Sequence, residues 1–111
     1  MKKLFGTLSL FITVYAVAQN MQVQNMASYL RNKEIDKAKV SADAAAIHES
    51  TKNSAKMWMY RGNVYKAIYN DTNAAIRKLD SEAEEKALDA YINCLKNDKD
   101  NIYKDEMKGD L

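Results

Sequence analysis

His48 is the only histidine and Cys94 the only cysteine of this 111-residue chain. A metal site or a nucleophile–base pair needs partners at defined spacing, and neither residue has them. Ile47 and Glu49 flank His48, and the chain holds no H-x3-H and no C-x2-C. His48 is expected at a helix end, where it meets the helix dipole. Cys94 falls on an apolar helical face with no basic residue one turn away, so a small core side chain is expected. Glu82, Glu84, Glu85 and Asp89 read as a solvated face favouring a helix N-terminus. Gly62 has no second glycine near it and lies in a helical pattern, so it is no phosphate loop. Asn70-Asp71-Thr72 fits a glycosylation sequon, but turn chemistry already explains those residues. No catalytic residue, metal or cofactor is expected, and the chain reads as a non-enzyme.

Composition narrows the class. Three Gly and no Pro leave few stops for a helix. Ala, Lys, Asp and Glu abound, and β-branched residues are sparse after residue 23. The expected fold class is all-α, with one small domain at this length. Residues 1–18 are set apart as a secretory signal peptide. Lys2 and Lys3 precede an apolar run from Leu4 to Val17, and Ala16-Val17-Ala18 offers small residues for cleavage before Gln19. The run is shorter than the roughly 20 residues a bilayer requires, so no membrane span is expected after cleavage. The expected location is the periplasm or cell envelope.

Without Lys2 and Lys3, the 17 Lys and Arg fall to 15, equal to the 15 Asp and Glu. A neutral chain argues against nucleic acid as partner, because phosphate binding needs a basic surplus. One cysteine excludes an intramolecular disulfide framework.

The elements follow from apolar spacing. A first helix is expected over about Met21–Asn32, with Val23, Met26, Tyr29 and Leu30 on one face. Asn32-Lys33-Glu34 is a turn. A second helix, about Asp36–His48, has Asp36 as N-cap and a smooth face of Ala38, Ala42 and Ala45. Ser54 begins a third helix, which runs to about Tyr69. It carries one stripe of Trp58, Gly62, Tyr65 and Tyr69 and another of Met57, Val64 and Ile68. A Gly there costs about 1 kcal/mol relative to Ala, a cost best tolerated where another helix must come close. Asn70–Asn73 breaks the helix, and Ala74–Leu79 is a short helical piece. Ser81 and Glu84 are spaced for a capping box. The fourth long helix, about Glu82–Asn97, has an expected face of Ala83, Ala87, Leu88, Tyr91, Cys94 and Leu95. Glu82 and Lys86 are spaced as an ion pair. Ile102–Met107 starts a further apolar-periodic segment.

Trp58, Gly62 and Tyr65 stand at the spacing W-x2-L-G-x2-Y, with Arg61 in place of the Leu. In this stretch the chain resembles the tetratricopeptide repeat family. Tyr29 and Tyr65 are offset by 36 residues, close to the roughly 34-residue period of that repeat. Ala87, Tyr91 and Cys94 resemble its second-helix run of small, aromatic and small residues. The first unit is degenerate: Met26 stands at the glycine position, and Ala38, Ala42 and Ala45 fill the second-helix stations. The closing Pro is absent from both units, and Asn70–Asp80 is an insertion between the helices of the second. The resemblance covers most of residues 21–101. Another array of helical hairpins is the rival reading.

The resemblance implies an α-solenoid of about two antiparallel units plus a terminal helix over residues 19–111. It also implies a groove lined by helix A. The groove-facing residues of the second unit would be Lys56, Met59, Asn63 and Lys66, suited to an extended or acidic peptide. Those of the first would be Asn20, Val23, Ala27 and Leu30. That row lacks the Lys and Asn of the family's carboxylate clamp. Two units are fewer than the roughly three such arrays need. A longer parent array or a homo-oligomer is therefore expected, with Ile102, Tyr103 and Met107 as the sticky end. The expected function is a scaffold for protein–protein contact in the cell envelope. The alternative is a structural capping or spacer segment with no groove ligand.

Overall fold

The computed structural model describes residues 21–104, and all regular structure among them is helical. The expected signal segment 1–18, Asn20 and Met107 lie outside the described residues. Helix α1 covers residues 21–31. It is followed by α2 (Ile35–Ile47), α3 (Ala55–Asn70), the single-turn α4 (Ala74–Arg77) and α5 (Ala83–Asn97). None of the described helices is long and apolar enough to cross a membrane.

The end of α1 is closed by backbone alone. Lys33 adopts a left-handed conformation with φ 60°. The Lys33 N–H then donates to the Leu30 carbonyl (3.2 Å) and the Glu34 N–H to the Tyr29 carbonyl (2.8 Å), the bonding pattern of a Schellman motif. Glu34, not Asp36, precedes α2. Asp36 lies in the first turn, and no side chain caps this helix. The reason is the tight closure: Ile35 is already helical, so Asp36 is carried one step too far to cap. Its charge still favours the positive end of the helix.

Ser54 caps α3, its Oγ accepting from the Met57 N–H (3.2 Å). Asn70, expected in the break, is the last residue of α3. Beyond it, Asp71 Oδ1 accepts from Asn73 N–H (2.7 Å) and Asn73 Oδ1 from Ala75 N–H (2.9 Å). These two short side chains turn the chain into α4.

The expected Ser81–Glu84 capping box is not made. Glu82 is the N-cap residue of α5, without a side-chain cap bond. Asp80 does the work instead, Oδ1 accepting from Glu82 N–H (2.9 Å) and Oδ2 from Lys86 Nζ (2.5 Å). Lys86 therefore pairs with Asp80, not with Glu82 as its spacing suggested. The amine reaches back over the helix start to the same Asp80 carboxylate that accepts from the Glu82 N–H.

One core cluster joins Val23 and Met26 of α1, Ala38, Ala42 and Ala45 of α2, Met57, Val64, Tyr65 and Ile68 of α3, and Ala83 and Ala87 of α5. The smooth face of α2 thus receives the larger side chains of its neighbours, as its alanine spacing anticipated. Trp58 packs against this cluster while its Nε1–H donates to the Lys52 carbonyl (2.7 Å), which satisfies the indole without withdrawing its rings. A second cluster holds Met59, Tyr91 and Cys94, with Leu95 and Tyr103 packed against it. Gly62 is buried, and a Cβ there would lie 2.5 Å from Tyr91 Cε1.

Two apolar positions differ from the expected faces. Leu88 is 52% exposed while Ala90 is buried. Ala83, Ala87, Ala90, Tyr91 and Cys94 form the stripe that meets α3, and Leu88 stands just outside it. Tyr69, expected in line with Trp58 and Tyr65, is 36% exposed. After α5, residues 102–104 form a turn. The Asp98 carboxylate accepts from the backbone N–H groups of Ile102 (2.9 Å), Tyr103 (2.9 Å) and Lys104 (3.2 Å). Ile102 is exposed, whereas Tyr103 packs on the second cluster.

Candidate interaction surface

Lys56, Met59, Asn63 and Lys66 follow one another along α3, but their surroundings differ. Lys56 is exposed, its amine 5.7 Å from the centre of the Tyr60 ring. It lines a small cleft of about 170 Å³ with Val23 and Gln24 of α1 and Ser50, Thr51 and Ser54 of the connection. Met59 is buried against Tyr91 and Cys94. Asn63 Oδ1 accepts from the Tyr91 hydroxyl (2.7 Å). Lys66 is half-buried. The fold therefore brings Met59 and Asn63 onto α5 and leaves Lys56 at the far end, ten residues or ~15 Å along the helix from Lys66. In the corresponding row of α1, Val23 is buried and Leu30 packs against the main core.

A larger cleft opens beside this row. It has a volume of about 400 Å³ and is lined by Tyr69 of α3 and by Glu84, Glu85, Leu88 and Tyr91 of α5. Its floor is aromatic and aliphatic, and its rim carries two exposed carboxylates at the start of α5. Sequence reasoning placed Tyr69 and Leu88 in the core. Both stand at the edge of the contact between α3 and α5, and no spacing within one helix reports where that contact ends.

A charged cluster at the junction of α2, α3 and α5 was also unforeseen. Arg61 Nη1 donates to Asp43 Oδ1 (2.9 Å) and to the Ala42 carbonyl (3.1 Å). Lys39 Nζ donates to Asp43 Oδ2 (2.9 Å), and the Tyr65 hydroxyl donates to Asp43 Oδ1. The Tyr65 ring is flanked by Arg61 at 4.8 Å, Lys86 at 5.6 Å and Lys39 at 6.0 Å, all within the range of cation–π attraction. Burial raises the Asp43 carboxyl, but hydrogen bonds from Tyr65, Lys39 and Arg61 outweigh it and hold the group below the ordinary carboxylate range. Burial, and then the bond to Asp43, push the Tyr65 hydroxyl well up. Asp80 is raised by burial and lowered further by Lys86 and the Glu82 N–H, ending below its usual value. The signal for this cluster was Arg61 itself, a charged residue at the Leu position of the repeat spacing.

The arrangement ties α2, α3 and α5 together through these polar and ring contacts. The Tyr65 hydroxyl is a poor acid, the Asp43 carboxylate accepts from Lys39, Arg61 and Tyr65, and Cys94 is buried. His48 is the C-cap residue of α2, its Nδ1 3.4 Å from the Ser50 N–H. Among the described residues, no group of three or more His, Cys, Asp or Glu could hold a metal ion. No family model, curated protein or solved structure matches this chain. The class the structure defines is an all-α protein whose long helices α2 and α5 both pack on α3.

Proposed function

We propose that this chain is an exported, non-enzymatic, tetratricopeptide-like scaffold that mediates protein–protein contact in the cell envelope. The observation that carries the reading is the slot at Gly62, taken up by the Tyr91 ring. Close approach of another helix at Gly62 is what its place in the helix led one to expect, and the ring that makes the approach belongs to Tyr91 of α5. The first unit offers the reverse pairing. Met26 stands at the glycine station and Ala42 at the Tyr91 station, both fully buried in one cluster. Large and small residue types are exchanged between these stations of the two units. The basic start, apolar run and Ala16-Val17-Ala18 of residues 1–18 support export. The partner is a protein or peptide, not nucleic acid, because the chain beyond the signal carries no basic surplus.

A second reading is a capping or spacer segment with no ligand. It is favoured by Met59 and Asn63, whose reaching atoms are engaged by α5. The two readings part at Lys56 and Lys66. Charge reversal of both, followed by cross-linked capture from the envelope fraction and circular dichroism, tests them. Loss of a captured partner with helicity intact supports the scaffold. A set of partners unchanged both by this reversal and by Leu88→Asp in the cleft between α3 and α5 supports the spacer.

A further inference from the structure

We propose that the cleft between α3 and α5 is the scaffold's docking site and that it receives a basic amphipathic helix from a protein partner. The inference rests on the scaffold reading and names the surface and the chemistry of its ligand. Tyr69 and Leu88 are large apolar side chains left in contact with water, and both line the same cleft of about 400 Å³. Tyr91 forms part of its wall, held in place by its bond to Asn63 and by the absence of a side chain at Gly62. The site is therefore preformed, which reduces the ordering cost of binding.

The occupant's shape is indicated by the fold itself. The apolar faces of α1 and α2 are covered by α3, which buries Met57, Val64, Tyr65 and Ile68 among Val23, Met26, Ala38 and Ala42. A seat between two helices of this chain is thus filled by a third helix. The occupant's charge follows from the rim. Glu84 and Glu85 are exposed beside the apolar floor, and Glu82 and Asp89 are exposed nearby on the same helix. Lys86 is turned toward Asp80, so it does not neutralise that rim. Leu or Met side chains at helical spacing would cover Tyr69 and Leu88. Flanking Lys or Arg would meet the carboxylates, with their alkyl stems over the rings.

The test uses the full chain and a labelled synthetic helix of about 16 residues, ~24 Å long, with Leu along one face and Lys on both flanks. A second helix has the same Leu face and Glu flanks. Saturable binding of the Lys-flanked helix is expected, weaker at high salt. Glu84→Lys with Glu85→Lys should weaken it at least about tenfold, as should Leu88→Asp. Glu84→Gln with Glu85→Gln, which avoids repulsion at the helix start, should weaken it in the same direction. Asp100→Lys, exposed and outside the cleft, should leave affinity within about twofold. Equal binding of the two helices, no binding of the Lys-flanked helix, or indifference to all three cleft variants would overturn the proposal. Self-association of the chain in sedimentation that is abolished by Leu88→Asp would assign the cleft to a second copy and overturn it too. If the peptide fails while capture through Lys56 and Lys66 persists, this inference falls and the scaffold reading stands.

Discussion

Tyr91 occupies the space that a side chain at position 62 would need. Its Cε1, Cδ1 and Cζ lie 2.5, 2.7 and 2.9 Å from the place of a Cβ on Gly62. The ring cannot fold away like an alkyl chain, and its hydroxyl is tied to Asn63 one residue along α3. This contact sets how closely α3 and α5 approach. It also couples the glycine of one helix to the aromatic residue of the other.

Gly62→Ala should therefore destabilise the protein, by up to about 2 kcal/mol. Overpacking costs of about 1–3 kcal/mol outweigh the roughly 1 kcal/mol that Ala gains in helix propensity. The sign should reverse in a Tyr91→Ala background, where the ring is gone and only propensity remains. Urea denaturation of the four proteins of this cycle measures the coupling. A stabilising Gly62→Ala in the parent would contradict the contact.

The helix caps yield a contrast. Ser54→Ala should cost about 1 kcal/mol, because Ser54 Oγ holds the Met57 N–H at the start of α3. Ser81→Ala should change stability by no more than about 0.5 kcal/mol, since Ser81 makes no cap bond for α5. Thermal melts of the two variants check the pair. An equal loss in both would show that Ser81 does cap.

Acid should weaken the junction of α3 and α5 through Asp80. Its folded carboxyl is held below the usual value by Lys86 and the Glu82 N–H, which outweigh burial. A depressed folded pKa adds stability that is complete above the ordinary carboxylate pKa of about 4 and is lost as pH falls through the lower folded value. Asp43 acts in the same direction. Asp80→Asn should be less stable than the parent near neutral pH, and the gap should close as pH falls below the ordinary carboxylate pKa of about 4. Urea midpoints across that range test it; a gap that widens in acid would refute the sign.

Asp98 governs access to Cys94. Its carboxylate gathers three backbone N–H groups from Ile102, Tyr103 and Lys104, and Tyr103 packs over the cluster that contains Cys94. Asp98→Ala leaves those donors without their acceptor, at a cost of about 2 kcal/mol. The turn should open more often, and Cys94 should react with a thiol reagent up to about 30-fold faster. Unchanged reactivity would show that the turn is held by other contacts.

Much of the local structure was legible from residue types alone. The long helices over 35–47, 55–70 and 83–97 begin and end within one or two residues of the places their spacing indicated. The Ser54 cap, the Asp71–Asn73 turn and the slot at Gly62 were readable for the same reason. Each depends on neighbours within a few positions, or on a side chain too small to serve any other purpose. Apolar periodicity also found most of the core, including Tyr65 and the alanines of α2.

What only the tertiary structure decided are contacts between residues far apart in the chain. Asp43 meets Arg61 across 18 positions and Tyr65 across 22, and Asn63 meets Tyr91 across 28. Such pairs leave no periodic trace in any one helix. Lys86 drew Asp80 into the place where Ser81 was expected to cap, a choice settled by where the amine could reach. The packing of α5 on α3 leaves Leu88 and Tyr69 exposed and engages Met59 and Asn63. A helix specifies its own faces through its residue spacing. Which face meets a neighbour, and which is left to bind something else, is determined only when the helices pack.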